Sequence, residues 1–420
     1  MAQVWNEVLA LARQPGVLDL GQGWPDFGAS SVARSAAADA ITRDDDGGRL
    51  NQYTTANGLP ALNAALAEYY GALHGWQLDP SSEVLVTTSA TEGLYACLQV
   101  RPRVAQPRAE AAHADAARAA RQAFLDPGDE VICFEPVFPW YVSHVRLAGA
   151  TAVPVRLQAP GFAFDEAALA AAFTPRTKAL IYNSPHNPTG HVATAAECAA
   201  IAALCVRHNV LALADEVYER KTFGGRPEVR LADFPGMRQR TLTVGTASKL
   251  FSLTGWRVGW VLGPGALLAG VRTVHSYSTF CAPTPLQAGV AEALRAAAAQ
   301  HRAATAATPG APPGADESAE AFERNAEVLG GALSDVGLDV IPAEGGYFLV
   351  ADVAATGLNA GDYCKALIAS ARVAAVPMDV FYFADDAPRT LVRFALCKRP
   401  ETIAAAAAAI RAAPVPLLRR

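Results

Sequence analysis

Five side chains of different chemistry are spread along this sequence: an amine, a guanidinium, a carboxylate, a phenol and an amide. They belong, in that order, to Lys249, Arg257, Asp215, Tyr218 and Asn187. An amine can hold an aldehyde as an imine, and the other groups can bind a ring nitrogen, a ring oxygen and a phosphate. Together they are the parts that hold pyridoxal 5'-phosphate as a Schiff base, so we predict that this cofactor sits on Lys249.

The ring of this cofactor withdraws electrons from a bound amino acid, and it does so best when its nitrogen is protonated. Asp215, at the end of an apolar run, is the candidate for the carboxylate beside that nitrogen. A helix N-cap is the alternative for Asp215, because Asp-Glu precedes another apolar run. Tyr218 and Asn187 are candidates for the ring 3'-oxygen, although Asn187 also begins a good turn sequence.

The phosphate needs amide donors, hydroxyls and a cation. Ser89, Ala90 and Thr91 lie between a predicted strand and a predicted helix, where free N–H groups and the helix dipole favour an anion. Ser and Thr there could equally be ordinary N-caps. Thr246 and Arg257 would complete the phosphate site.

Lys249 and Arg393 are the candidates for acting on the substrate. Lys249 would move a proton from the substrate Cα to the C4' atom of the cofactor, although most lysines are simply solvated surface residues. Arg393 would bind the α-carboxylate through both nitrogens of its fork, which a lysine cannot imitate. A structural ion pair is the alternative for Arg393.

The elements that must position these residues alternate along the chain. Short runs rich in β-branched residues are separated by longer helical patterns, which predicts an α/β fold with a largely parallel sheet. The candidate residues follow these runs, where open α/β sheets gather ligands. The predicted strands cover residues 84–87, 130–134, 179–182, 210–214, 241–244 and 257–262.

Two domains are predicted. Residues 41–300 form the large cofactor-binding domain, interrupted by an insertion rich in Ala, Arg and Pro at 100–122. Residues 1–40 and 319–420 form a smaller α+β domain. The Ala/Pro/Gly-rich stretch at 301–318 is predicted to be a flexible segment.

The composition excludes several classes of protein. The chain has 420 residues, 51 % of them hydrophobic and 18 % charged, and a net charge of -5, so a nucleic-acid partner is not expected. Seven scattered cysteines without a Cys-x-x-Cys pair predict neither disulfides nor a metal site. We find no signal peptide and no apolar run near the roughly 20 residues needed to cross a bilayer, which predicts a cytoplasmic protein without membrane contact.

Longer motifs resemble a known family. The sequence is similar to the class I, fold type I aminotransferases, and within them to the kynurenine–oxoglutarate transaminase / cysteine-S-conjugate β-lyase (glutamine transaminase K) group. The resemblance covers nearly the whole chain outside the insertion at 100–122 and the segment at 301–318. The matching motifs are residues 20–27 (LGQGWPDF), 51–54 (NQYT), 135–138 (EPVF), 248–249 (SK), 255–260 (GWRVGW), 376–377 (VP) and 381–382 (FY).

The resemblance implies roles for further residues. Phe138 would stack on the cofactor ring, and the amide of Gly23 would bind the substrate carboxylate. Trp5 and Phe280 would line the pocket for the substrate side chain. The family also implies a homodimer in which Tyr53 reaches the partner's phosphate, and both Tyr53 and Phe280 are contributed across the interface.

The activity implied is transfer of an amino group from kynurenine, glutamine, methionine or an aromatic L-amino acid to a 2-oxo acid. A cysteine-S-conjugate β-lyase with the same site, or a catalytically impaired protein of this fold, remains an alternative. Cys281 follows Phe280 where the kynurenine group often has His, which leaves the donor open. A nucleotide-binding oxidoreductase is disfavoured, because Gly21-Gln22-Gly23 lacks the third glycine of that fingerprint.

Overall fold

A computed structural model gives the structure of most of the chain. For residues 2–5 and 317 it describes the backbone alone. The residues described are 2–43, 47–99, 125–307 and 317–418.

Helices and strands alternate as the sequence predicts. The strands are β1 (Leu18–Asp19), β2 (Val84–Thr87), β3 (Glu130–Glu135), β4 (Thr151–Gln158), β5 (Ala163–Phe164), β6 (Thr177–Asn183), β7 (Leu211–Asp215), β8 (Thr241–Thr246), β9 (Gly259–Leu262), β10 (Asp339–Ile341), β11 (Phe348–Asp352), β12 (Val373–Ala374), β13 (Val376–Pro377) and β14 (Leu391–Ala395). The α-helices are α1 (Ala2–Ala12), α2 (Ser31–Thr42), α3 (Pro60–His74), α4 (Ser89–Gln99), α5 (Pro139–Leu147), α6 (Glu166–Ala171), α7 (Ala195–His208), α8 (Ala247–Leu250), α9 (Gly265–Ser278), α10 (Thr284–Ala307), α11 (Glu317–Asp335), α12 (Ala360–Ala371) and α13 (Pro400–Ala412).

The main sheet has the order β2-β9-β8-β7-β6-β3-β4-β5. Strands β8, β7, β6, β3 and β4 run parallel, whereas β9 is antiparallel to both of its neighbours. Helices cover both faces, so central strands such as β7 are buried throughout and consist of apolar residues up to Asp215. The predicted α/β fold with a mostly parallel sheet is confirmed.

One strand begins later than predicted. The expected strand at 257–262 starts only at Gly259, because Arg257 adopts the left-handed conformation with φ of 55°. That conformation interrupts an extended backbone and turns the chain between α8 and β9. The turn brings Arg257 to the same side of the sheet as Lys249.

A second, antiparallel sheet has the order β10-β11-β14-β13 and belongs to the C-terminal part of the chain. Strand β1 pairs in parallel with β12, so residues near the N-terminus join this part. Arg393 lies in β14, opposite Val350 on one side and Val376 on the other. The C-terminal sheet therefore carries the predicted substrate arginine.

The insertion at 100–122 and part of the segment at 301–318 lie outside the described residues. Residues 301–307 continue α10, so the predicted flexible segment at 301–318 begins with helix, as its alanine-rich sequence favours. Residues 308–316 lie outside the described part, and so does 100–124, which contains the predicted insertion at 100–122. Helix α4 ends at Gln99, before that insertion.

No helix within the described ranges is both long and apolar enough to span a lipid bilayer.

Candidate active site

A cavity of about 290 Å³ opens at the carboxyl ends of β6, β7 and β8, the edge at which parallel sheets bind ligands. Of the predicted site residues whose side chains the structure describes, all except Tyr53 and Phe280 line it. Those that line it are Gly23, Ser89, Ala90, Thr91, Phe138, Asn187, Asp215, Tyr218, Thr246, Lys249, Arg257 and Arg393.

Lys249 lies in α8, directly after β8, and its amine donates a 2.7 Å hydrogen bond to the carbonyl oxygen of Gly23. The Nζ atom also lies 5.2 Å from the centre of the Tyr347 ring. Burial lowers the pKa of this amine to about 8, and the charges of Arg393 and Arg257 act in the same direction. Near neutral pH, more of this amine is therefore in its uncharged, nucleophilic form than for an exposed lysine.

Asp215 is the last residue of β7 and is 4 % exposed. Its Oδ2 atom accepts a hydrogen bond from the Tyr141 hydroxyl, and Oδ1 accepts one of 3.3 Å from the amide of Val217. Burial raises the pKa of Asp215 to about 6, and the Tyr141 hydrogen bond opposes that rise. The residues after Asp215 form turns and no α-helix, so the alternative of a helix N-cap is not what the structure shows.

Tyr218 lies on the turn after β7, with its ring 5.0 Å from that of Tyr347. Tyr218 lines the cavity, and its hydroxyl makes no hydrogen bond with any described residue. Burial raises the pKa of Tyr218 above its usual value, so the phenol stays protonated across the working pH range. It is an available donor for an oxygen atom in the cavity.

Arg393 is held between the two sheets. Its Nη1 donates to the Asn187 side-chain oxygen at 2.8 Å, and its Nη2 donates to the Gly21 carbonyl oxygen at 2.9 Å. Its guanidinium carbon lies 3.9 Å from the centre of the Phe348 ring. Its Nε is buried without a hydrogen-bond partner among the described residues. Asn187 thus acts in positioning Arg393 as well as lining the cavity.

The N-terminal turn of α4 also lines the cavity, through Ser89, Ala90 and Thr91. Ser89 has φ of 79°, a strained conformation for a residue with a side chain, which is typical of functional turns. A side chain at Gly259 would collide with the backbone of Ser89 and Ala90, so glycine is required for this close approach. The turn directs free helix N–H groups towards the cavity.

Thr246 and Ser248 differ in how their hydroxyls are used. Thr246 Oγ1 donates to the Val258 carbonyl oxygen at 3.1 Å and accepts from the Ser248 amide at 3.1 Å, capping α8. Ser248 Oγ is buried without a partner among the described residues. Both residues line the cavity, and Ser248 is the one with unused hydrogen-bonding capacity.

Aromatic residues form the outer wall. The rings of Phe138 and Trp140 are stacked, 4.8 Å apart and 12° from parallel. Gly23 also lines the cavity, and a Cβ atom on this residue would lie 2.6 Å from the tip of the Phe348 ring. Glycine at this position leaves the backbone of residue 23 accessible, as its predicted contact with a carboxylate requires.

The predicted residues outside the cavity lie on the surface or outside the described side chains. Tyr53 is 85 % exposed and Phe280 is 45 % exposed, and their rings meet edge to face at 5.7 Å. Phe280 has φ of 66°. The backbone of Trp5 belongs to α1, but its side chain is outside the described part of the structure.

Sequence reasoning missed several residues that line the cavity. Tyr141 could have been recognised because it lies three residues after Phe138 on a helix that starts at Pro139, and so shares its face. Asn183, at the end of β6, donates to the Asp215 carbonyl oxygen at 2.8 Å and accepts from the Asn187 amide at 2.9 Å. Gln22, Ser248 and Phe381 lie within the quoted motifs but received no role from the sequence. The other lining residues that were missed are Leu94, Pro139, Trp140, Val217, Thr254 and Phe348.

These residues fit the predicted cofactor. The cavity lining includes the first residues of α4, the unused Ser248 hydroxyl and Arg257, which suit a phosphate. It also includes a buried carboxylate at Asp215 and the amine of Lys249. The donor types therefore match the phosphate, the ring nitrogen and the aldehyde of pyridoxal 5'-phosphate.

Comparison with known proteins identifies the relatives of this chain. The model of the family Aminotransferase class I and II matches residues 15–105 and 111–410. Kynurenine–oxoglutarate transaminase 3 of Rattus norvegicus is 34 % identical over 425 residues, covering 96 % of this chain and 86 % of that protein. The probable N-succinyldiaminopimelate aminotransferase of Mycobacterium tuberculosis is 37 % identical over 411 residues, covering 95 % and 93 %.

Solved structures are similar over the same length. The N-succinyldiaminopimelate aminotransferase of Mycobacterium tuberculosis superposes with a TM-score of 0.82 at 37 % identity, covering 97 % of this chain and 96 % of that chain. YbdL from Escherichia coli, with an identified methionine aminotransferase function, also gives 0.82, at 32 % identity and the same coverage.

Proposed function

This chain belongs to the aminotransferase class I and II family, and on that premise we propose that it takes the amino group from kynurenine, glutamine, methionine or an aromatic L-amino acid. The acceptor is a 2-oxo acid. The chain is a transaminase and its cofactor is pyridoxal 5'-phosphate. The preferred amino donor is the part that needs proposing, because the relatives carry different donor names.

One observation carries the proposal: a lysine with a lowered pKa, a buried carboxylate and a buried arginine line a single cavity. Lys249 supplies the amine, Asp215 the carboxylate and Arg393 the guanidinium. A structural role for each residue alone would not bring them to one surface. Perturbed titratable groups that converge in a cleft are typical of catalytic sites.

Each of these residues has a specific task in this proposal. When bound, the cofactor withdraws electrons from the substrate Cα. Asp215 supports this by presenting a carboxylate to the ring nitrogen, and Tyr218 donates its phenol proton to the ring oxygen. Lys249 holds the cofactor aldehyde at rest and afterwards carries the substrate's α-proton on Nζ. Arg393 binds the α-carboxylate, and Asn187 keeps the guanidinium in place.

The choice of donor is inferred from the cavity wall. Phe138, Trp140, Phe348 and Phe381 line the space beside Lys249 and Arg393 with aromatic surface. Such a wall binds an apolar or aromatic side chain better than a short charged one. Among the donors above, we place aromatic amino acids, kynurenine and methionine before glutamine.

We also infer a homodimer. Tyr53 and Phe280 lie on the surface of one chain, away from the cavity residues, although the family resemblance assigns both to the site. Contribution of both residues to the site of a second copy reconciles these facts. For location we retain the cytoplasm, which suits seven cysteines that are all free.

The experiment is a donor panel with the purified, cofactor-loaded protein. Each L-amino acid is mixed with a 2-oxo acid, and both the new amino acid and the new oxo acid are quantified. We expect equimolar formation of the two products, fastest for an aromatic donor. Activity confined to β-elimination from a cysteine conjugate, with pyruvate formed and no oxo acid consumed, would assign the lyase alternative instead.

A further inference from the structure

The carboxylate of Asp215 depends on a residue from a different part of the fold. The hydroxyl of Tyr141, on α5, donates a hydrogen bond to Asp215 Oδ2, and both residues are 4 % exposed. The second oxygen of Asp215 receives only the longer 3.3 Å bond from the Val217 amide. The Tyr141 hydroxyl is therefore the closest donor to this carboxylate.

The charges around this pair are few. Burial is the largest influence on Asp215 and raises its pKa, whereas Tyr141, the Val217 amide and Lys249 lower it, in decreasing order. The other titratable groups facing the pair are Tyr218, after β7, and Cys133, on β3. Both are neutral near pH 7, since burial raises the pKa of each above its usual value.

We propose that Tyr141 is a positioning residue that keeps Asp215 ionised and oriented, so that the carboxylate can pair with the ring nitrogen of the cofactor at neutral pH. The proposal rests on the amino-transfer function proposed above. A carboxylate in an apolar site needs hydrogen bonds to its charged form, or it takes up a proton and loses its attraction for a cation.

A tyrosine suits this task. Burial and the neighbouring Asp215 charge raise the pKa of Tyr141 well above its usual value, so the phenol remains a donor at every working pH. Its ring is fixed by an edge-to-face contact with Phe138 at 5.5 Å. Phenylalanine would keep that contact and remove only the donor.

The test compares Tyr141→Phe with Tyr182→Phe in the full-length protein. Tyr182 is the matched control because it is also buried, at 3 % exposure, on β6 beside the strand of Asp215, while its hydroxyl bonds Cys198 at 3.1 Å and not Asp215. The measurement is the dissociation constant of pyridoxal 5'-phosphate from pH 5 to 9, followed by the absorbance of the bound cofactor. Turnover is not needed for this readout.

The expected direction of the pH effect on cofactor affinity follows from the protonation of Asp215. In the wild type, affinity for the cofactor falls as pH drops through about 6, where Asp215 takes up a proton. Losing a hydrogen bond to a charged group should move this acid limb upwards by about one to two pH units in Tyr141→Phe. At pH 7 the affinity then falls about two- to tenfold, at pH 9 it approaches the wild-type value, and Tyr182→Phe retains the wild-type limb.

Two outcomes would overturn the proposal. One is a Tyr141→Phe protein whose acid limb coincides with that of the wild type. The other is a loss of affinity that is the same at every pH, because it would indicate a packing role. Since binding is measured without a substrate, these results stand even if no donor in the panel is converted, an outcome that would count against the proposed function alone.

A second variant covers the case in which Tyr141→Phe does not fold. Tyr141→His retains an N–H donor, which becomes cationic at low pH, so its acid limb should lie at or below that of the wild type. A limb shifted upwards in this variant would mean that any substitution at this position moves it, and the specific role of the hydroxyl would be lost.

Discussion

The floor of the active site and its rim are built in opposite ways. The floor, defined here as Lys249, Asp215 and Arg393, lies inside the chain, and each of its polar heads is hydrogen-bonded to a described neighbour. The rim, defined as Tyr53 and Phe280, stands on the surface and contacts the cavity nowhere. The floor residues come together within one copy of the chain, whereas the rim residues do not line the cavity.

The rim is nevertheless a built structure. Phe280 keeps a positive φ of 66°, and its amide donates to the His275 carbonyl oxygen at 3.0 Å, which fixes the turn after α9. Holding a phenylalanine in this conformation costs free energy of the order of 1 kcal/mol or more. An exposed aromatic side chain fixed in this way is typical of a surface that another molecule covers. The comparison therefore predicts large effects from the floor and small, partner-dependent effects from the rim.

The largest effect should come from Lys249→Ala. Without this amine the protein has neither a covalent hold on the cofactor nor a carrier for the substrate's α-proton, so turnover should fall at least about a thousandfold. The measurement is the steady-state rate with the best donor, after loading with excess pyridoxal 5'-phosphate.

Lys178→Ala is the control, because Lys178 does not line the cavity and its amine, among the described residues, donates to the Pro175 carbonyl oxygen alone, at 3.4 Å. Its rate should equal that of the wild type. Residual turnover by Lys249→Ala within tenfold of the wild type would remove Lys249 from the floor and with it the proposed mechanism.

The next effect is a pH dependence set by burial. With a pKa of about 8 for Lys249, the uncharged fraction of its amine rises about fiftyfold from pH 6 to pH 8 and then levels off. Capture of pyridoxal 5'-phosphate by the cofactor-free protein should follow this curve, measured as the rate of the absorbance change on mixing. A rate that keeps rising beyond pH 10 would indicate that Lys249 has the ordinary lysine pKa of 10.5. It would contradict the lowering of this pKa by burial.

Arg393→Lys should have a smaller effect. Lysine keeps the positive charge but loses the planar fork, and with it at least one charge-assisted hydrogen bond worth about 1.5–3 kcal/mol. The kcat/KM for the amino donor should fall roughly ten- to hundredfold, mainly through KM if the interaction is equal in ground and transition states.

Arg411→Lys is the matched control, since Arg411 pairs with Asp335 on the surface. It should leave kcat/KM unchanged. A loss in Arg393→Lys that is confined to kcat, with KM unaltered, would argue against α-carboxylate binding by this residue.

The same contrast explains what could be predicted from the sequence. The strands of the main sheet follow from apolar runs, and the floor residues follow from being placed at the ends of those runs. The spacing of Tyr141 from Phe138 could have placed it near the site, but its bond to Asp215 joins positions 74 residues apart on different elements, and no local pattern encodes that contact. Ser248 was missed because the sequence does not distinguish the hydroxyls of Thr246 and Ser248, two positions apart. In the structure Thr246 bonds the Val258 backbone, whereas the Ser248 hydroxyl has no partner among the described residues.

The rim could be predicted only by resemblance. Nothing in the local sequence of Tyr53 or Phe280 indicates a site, and the fold of one chain leaves both exposed, as the proposed homodimer requires. The start of β9 also differs from the predicted strand. The left-handed backbone of Arg257 delays β9 until Gly259. Contacts between distant elements and between copies are therefore the parts that sequence patterns do not carry.

The smallest effect is expected from Tyr53→Phe, and it tests the rim directly. Loss of one phosphate hydrogen bond worth about 1 kcal/mol should weaken binding of pyridoxal 5'-phosphate about fivefold. Tyr277→Phe is the control, because Tyr277 is likewise exposed, at 90 %, and lines no part of the cavity. It should bind the cofactor as the wild type does.

Mixed dimers decide where Tyr53 acts. When Lys249→Ala and Tyr53→Phe chains are refolded together, a hybrid has one site with an intact Lys249, contributed by the Tyr53→Phe chain. If Tyr53 serves the partner's site, that lysine site receives its tyrosine from the Lys249→Ala chain and should bind the cofactor with wild-type affinity. If Tyr53 serves its own site, the hybrid keeps the fivefold weaker affinity, and the rim would then have to close within one chain by a movement that brings Tyr53 from the surface to the cavity.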